Sequence, residues 1–128
     1  WRGTAQGIAY KAVLRMQEEF GCAPEDIRAA IGPCIGRCCF EAGPEVPDAM
    51  REALGADAEA AIEPRGEKAH VDLKLLNRIW LQKAGVQVID VRPDCTMCHP
   101  DRFWSHRVTG GARGSQAAII RLKGGAAQ

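Results

Sequence analysis

The chain has 128 residues, of which 46% are hydrophobic and 26% charged, the proportions of one ordinary globular domain. Lys+Arg 17 against Asp+Glu 16 leaves a formal net charge of +1, too little for the electrostatic footprint of a nucleic-acid-binding protein. No run of eighteen apolar residues is present, so no membrane span is predicted, and no basic-then-apolar leader argues for export.

Thr4 is a good N-cap, and Ile8, Ala9, Val13, Met16 and Phe20 recur at three- and four-residue spacing, which predicts a helix over 5–20 stopped by Gly21. Pro24-Glu25-Asp26 reads as a short helical turn and 27–31 as a brief strand. Gly32-Pro33-Cys34-Ile35-Gly36 interrupts regular structure repeatedly and reads as a shaped loop. A second helix is expected over 44–54, with Val46, Met50 and Leu54 facing inward. From 55 to 68 the composition turns to Ala, Glu and Gly, which reads as a weak surface helix or a loop. Asp72 caps a third helix with a stripe of Leu73, Leu76, Ile79 and Trp80, ended by Gly85. The β-branched content of 86–91 predicts a buried strand, followed by a Cys-containing loop over 93–101. A closing strand is expected over 116–122 and a frayed tail over 123–128. No internal repeat or long linker is present, so residues 1–128 read as a single α/β (α+β) domain, a mixed β-sheet layered with helices.

Six cysteines, Cys22, Cys34, Cys38, Cys39, Cys95 and Cys98, are read as reduced thiols of a cytoplasmic protein, with metal binding next and disulfides last. Adjacent Cys38 and Cys39 alternate sides if extended, so at most one would point into a core. Cys95-Thr96-Met97-Cys98-His99 has the spacing of a covalent haem attachment, but that needs export, an axial ligand and a haem-sized cavity. Zinc held by Cys95, Cys98, His99 and one of Cys34, Cys38 or Cys39 is chemically sound, although no second ligand pair stands at zinc-finger distance. The plainer reading is a set of thiols in a compact loop.

Phe103-Trp104-Ser105-His106-Arg107 sets aromatics beside a guanidinium, which suits a planar, anionic or phosphorylated ligand; the plainer alternative packs the aromatics and leaves Arg107 solvated. Trp1-Arg2-Gly3-Thr4 stands just before the first predicted helix, where an N-terminus and Arg2 favour an anion. His70, among charged residues, reads as a surface histidine. No Ser/His/Asp arrangement, phosphate loop or paired carboxylates stand out.

Several segments together resemble one family. Trp1-Arg2-Gly3-Thr4 resembles the end of its His-Ala-Gly-Trp-Arg-Gly motif, and the run from Ala30-Ile31-Gly32-Pro33 to Cys38-Cys39-Phe40-Glu41-Ala42-Gly43 its Gly-Pro-x-Ile-Gly…Cys-Cys-Tyr-Glu-Val-Gly stretch. Asp72-Leu73 through Asn77-Arg78 to Ala84-Gly85-Val86 is similar to its Asp-Leu…Asn-Arg…Ala-Gly-Val helix. Cys95-Thr96 with Phe103-Trp104-Ser105-His106-Arg107, then Gly114-Ser115-Gln116-Ala117-Ala118, resembles its closing Cys-Thr…Phe-Phe-Ser-Tyr/His-Arg segment. The family is the laccase-domain or polyphenol-oxidase (YfiH-like) group, regarded as purine nucleoside phosphorylases with adenosine deaminase activity. The chain resembles its C-terminal half.

The resemblance implies phosphorolysis of adenosine, inosine or guanosine to base and ribose 1-phosphate in the intact parent, with zinc-dependent deamination of adenosine. Purine nucleoside and phosphate are the implied partners, together with a missing N-terminal segment that completes the fold; no nucleic acid or membrane is expected. The family's zinc ligands lie in Gln-Val-His-Gly, Thr-Ala-Asp-Cys and the His of His-Ala-Gly-Trp-Arg-Gly, all preceding Trp1, so no metal, cofactor or catalytic residue is expected in this chain. Phosphorolysis needs cations to hold phosphate, and Arg2 at the first helix and Arg107 with Ser105 are the candidate substrate-binding residues. Copper-dependent phenol oxidation is the older family reading, and a non-catalytic domain or inactive fragment is the other alternative.

Overall fold

The structure, a computed structural model, describes residues 1–121. It has the expected α+β character, with one parallel and one antiparallel sheet packed against helices.

The N-terminal helix is broken where the sequence predicted continuity. α1 (Arg2–Ala5) and α2 (Ile8–Phe20) are separated by Gly7 at φ 67, a left-handed conformation that only glycine adopts without strain. A Cβ there would also meet the Trp80 ring at 3.4 Å. Thr4 is therefore not an N-cap. Its hydroxyl accepts from Asn77 Nδ2 at 3.0 Å and its carbonyl from Trp80 Nε1 at 2.8 Å, tying α1 to the later helix. Of the predicted α2 stripe, Val13 is buried, whereas Ile8, Met16 and Phe20 are exposed.

β1 (Arg28–Ile31) pairs in parallel with β5 (Val88–Val91). Ala29, Ile31 and Ile89 turn toward α2 and α4, but Val88 and Val91 are exposed, so the strand expected as buried is only partly covered. Val86, just before it, is the residue that is buried.

α3 (Glu45–Leu54) matches expectation, with Val46, Met50 and Leu54 buried. The segment expected as a surface helix or loop holds more structure than its composition suggests. A 3-10 helix (Gly55–Ala61) buries Ala58 and Ala61, then β3 (Ile62–Arg65) and β4 (Lys68–Val71) form a hairpin. Gly66 sits at φ 63 in its two-residue turn, the left-handed position that such tight hairpins require. β2 (Glu41–Ala42) adds to the other side of β4, giving the order β2-β4-β3. Pro64 is tolerated because β3 is an edge strand. His70, predicted on the surface, lies within β4 with 12% of its side chain exposed, and Nδ1 donates to the Arg37 carbonyl at 2.7 Å.

α4 (Leu73–Lys83) follows at once, capped as expected by Asp72, whose carboxylate accepts from the Leu75 N–H at 3.0 Å. Leu76 is fully buried, and Leu73, Ile79 and Trp80 pack against the same core. α5 (His106–Thr109) is a single turn. Residues 116–121 form no strand, against the expected closing strand; Leu122 and the predicted tail lie outside the described residues.

Candidate functional site

Two loops leave the carboxyl ends of the parallel pair, the edge at which open α/β sheets commonly hold ligands. The loop after β1 and the loop after β5 stay together through a parallel bridge between Cys34 and Cys95, with the Thr96 N–H donating to the Cys34 carbonyl at 3.1 Å. On one side of this joint lies an open cleft of about 420 Å³. Ile35 and Phe40 line it from the loop after β1, and Trp104, Ser105 and Arg107 from the later segment.

Ser105 and Arg107, the candidate substrate-binding residues, both line this cleft. Arg107 donates through Nη1 to the Glu41 carbonyl at 3.1 Å, and its guanidinium carbon stands 5.7 Å from the centre of the Phe40 ring. This single bond to a carbonyl leaves the other guanidinium donors available to an anion. Ser105 is buried, and its carbonyl accepts from the N–H and the hydroxyl of Thr109. Trp104 is about half exposed, so the aromatic wall is at the cleft and not in the core.

Arg2 is not among the cleft residues. It lies inside the one-turn α1, its guanidinium stacked 4.6 Å from the centre of the Trp1 ring. The helix that begins beside it is this single turn, and the long helix starts only at Ile8. Two cleft residues escaped the sequence reading. Arg113 adds a second guanidinium, and Gln116 accepts through Oε1 from the Trp104 N–H at 3.2 Å. Both follow the Gly110-Gly111 turn, and only the folding back of that loop reveals them.

Titration states sharpen the picture. Burial pushes the Cys34 thiol up, so it stays protonated at neutral pH and donates to the Ile35 carbonyl. Glu41 is held below the ordinary carboxylate range by its hydrogen bond to Lys68, so it remains ionised. The cleft residues of this chain do not by themselves make a site for the zinc that the resemblance implies. Their side chains offer one thiol and one imidazole, Cys34 and His106, where a catalytic zinc takes three protein ligands.

On the other side of the joint stands a group that can hold a metal ion. The sulfurs of Cys38, Cys39, Cys95 and Cys98 all lie within 4.8 Å of one another. Cys38 and Cys39 share one side because the Gly36–Phe40 segment is a turn and not extended, the Phe40 N–H donating to the Gly36 carbonyl at 2.9 Å. That corrects the expectation that adjacent cysteines diverge. His99, grouped with Cys95 and Cys98 in the sequence reading, is outside the cluster. Burial raises the Cys95 thiol, yet the N–H groups of Gly36, Cys98 and Met97 outweigh it and hold it at about 6. Cys39 moves up, chiefly through its contact with Cys98, and Cys38 through burial.

Among the described residues, no helix is long and apolar enough to cross a membrane. The chain is similar to a human protein named purine nucleoside phosphorylase LACC1, at 34% identity over 96% of this chain and 29% of that protein. It is 39% identical to purine nucleoside phosphorylase YlmD of Geobacillus stearothermophilus, over 94% of this chain and 45% of that protein. The YlmD crystal structure matches with a TM-score of 0.83, covering 89% of this chain and 43% of that one. A third relative, adenosine deaminase RL5 from an unknown prokaryotic organism, is 37% identical over 86% of this chain and 43% of its own length. The chain spans less than half the length of each of these relatives. The family described as multi-copper polyphenol oxidoreductase laccase matches residues 1–123, and with the fold agreeing as well, the chain belongs to that family.

Proposed function

We propose that the protein carrying this chain is a purine nucleoside phosphorylase, and that this chain supplies the cleft wall that holds phosphate beside the base. The observation that carries the reading is Arg107, fixed by Glu41 and Phe40 at a cleft that also holds Arg113, Ser105 and Trp104. The names of LACC1 and YlmD support it.

In this reading a phosphate oxygen forms the bond to C1′ while the glycosidic bond breaks, and the base leaves with the electron pair and takes up a proton. Two guanidinium groups balance the charge of the dianion at that attack. The half-exposed Trp104 ring gives the base a flat surface to stack on. Arg2 takes no part in this assignment, because it does not line the cleft.

Deamination of adenosine is a second activity of the same protein, supported by the name of RL5. The ligands implied for the zinc it calls for all precede Trp1, so the role assigned to this chain is binding of phosphate and nucleoside. Laccase-like phenol oxidation rests on the family description alone. The six thiols of the chain suit the cytoplasm, where thiols stay reduced.

The test is release of hypoxanthine from inosine by the intact protein with and without phosphate. Arg107→Ala should raise the phosphate KM or lower kcat/KM by roughly ten- to a hundred-fold, from about 1.5–3 kcal/mol per charged contact. Arg107→Lys should recover part of that loss, since a point charge cannot reproduce the fork. Deamination should fall much less. Base release that ignores phosphate overturns the function, and equal loss of both activities with a collapsed Tm makes Arg107 structural.

A further inference from the structure

We propose that Cys38, Cys39, Cys95 and Cys98 form a closed tetrathiolate site for one zinc-class divalent cation, clamping the loop after β1 to the loop after β5.

The sulfur positions suit it. A tetrahedral ion with metal–sulfur bonds of about 2.3 Å has ligand sulfurs about 3.8 Å apart. Cys38 and Cys98 stand 3.7 Å apart and Cys39 and Cys98 3.4 Å, with every pair of the four inside 4.8 Å. The cubes of iron–sulfur clusters hold their cysteines much farther apart, so the cage fits a single ion.

The surroundings suit it too. The Gly36 N–H donates to Cys95 Sγ at 3.2 Å, the kind of outer hydrogen bond that orients and stabilises a metal-bound thiolate. Gly36 packs closely on the sulfurs: a Cβ there would lie 3.2 Å from Cys38 Sγ and 3.3 Å from Cys95 Cβ, so a side chain would push on the cluster. Four thiolates around a divalent ion carry a net charge of −2, which needs compensation. The neighbouring hollow, lined by Cys38 and Cys95, also presents Arg37, Lys74, Arg78 and Arg92; Asp72 stands 3.9 Å from Arg37 and Asp94 3.3 Å from Arg92, which leaves a cationic excess. On binding, the ion forms four metal–sulfur bonds and the thiol protons pass to solvent, with no change of oxidation state.

Four protein sulfurs leave no open coordination position, so the ion is structural and distinct from any catalytic metal. Its place explains what it would do. Cys34, Phe40 and Thr96, on the two clamped loops, line the proposed substrate cleft. The clamp does not depend on the phosphorylase reading, because its geometry involves neither Arg107 nor Ser105.

The experiment uses the intact protein, with Cys22→Ser as a control thiol outside the cluster and Cys39→Ser/Cys98→Ser as the disrupted site. Zinc content is measured after purification under reducing conditions, and Co2+ is then exchanged in as a spectroscopic probe. The proposal expects the double variant to hold one equivalent of zinc fewer than the parent and Cys22→Ser. The cobalt-loaded parent should show sulfur-to-metal charge transfer and the intense visible bands of a tetrahedral tetrathiolate. Equal zinc in all three proteins overturns the site. Should the double variant fail to fold, the parent's cobalt spectrum decides alone: its absence, or a Cys39–Cys98 disulfide found by mass spectrometry, overturns the proposal.

Discussion

The two hydrophobic clusters of this chain are made of similar residue types but enclosed very differently. One gathers eleven buried residues from Phe40 to Leu76, sealed between the three-stranded antiparallel sheet, α3 and α4. The other holds five, Val13, Ile27, Leu81, Ala84 and Val86, beneath α2 and the two-stranded parallel pair. Around the second, Ile8, Leu14, Met16, Phe20, Val88 and Val91 are exposed. Parallel strands are ordinarily covered on both faces, so this pair is unusually open among the described residues. The difference teaches that an apolar stripe stabilises a fold only where another element closes over it.

The sharpest way to test the contrast is truncation inside the sealed cluster. Met50 is 0% exposed, and Met50→Ala should cost about 2–5 kcal/mol, read as a lower urea midpoint at unchanged slope. Next comes Asp72, whose carboxylate caps α4 between the two clusters. Asp72→Ala should cost about 1 kcal/mol in the same assay, and Asp72→Asn or Ser should restore most of it. The smallest effect belongs to the open side. Phe20 is 77% exposed, so Phe20→Ser should shift stability by no more than about 0.5 kcal/mol. A loss as large as that of Met50→Ala would break the comparison, because it would mean that another segment of the intact protein covers the α2 face.

Where residues act within one element, the sequence was readable. The α3 stripe and the Asp72 cap depend on three- and four-residue neighbours, and both stand as expected. The α2 stripe has the same spacing, yet only Val13 is buried, since spacing reports which residues share a face and not whether anything packs on it. The site shows the same division. Ser105 and Arg107 lie two residues apart and reach one cleft together, whereas Arg2, in the turn of helix ahead of Gly7, does not line it.

By itself, the order of residues determined the Asp72-capped α4, the buried stripe of α3, the turn at Pro24, the strand before the Gly-Pro loop and the motif resemblance that names the family. The hairpin of β3 and β4 was decided only by tertiary structure. Its Ala, Glu, Pro and Lys have little strand propensity, and pairing is set by burial of Ile62, Ala69 and Val71 against α3. The thiol cluster is the extreme case. Cys39 and Cys98 are separated by 59 positions, and no local rule relates them. Parallel pairing of β1 with β5 closes that long loop and sets the two turns side by side, so four sulfurs meet where the sequence shows only an adjacent pair and a distant one.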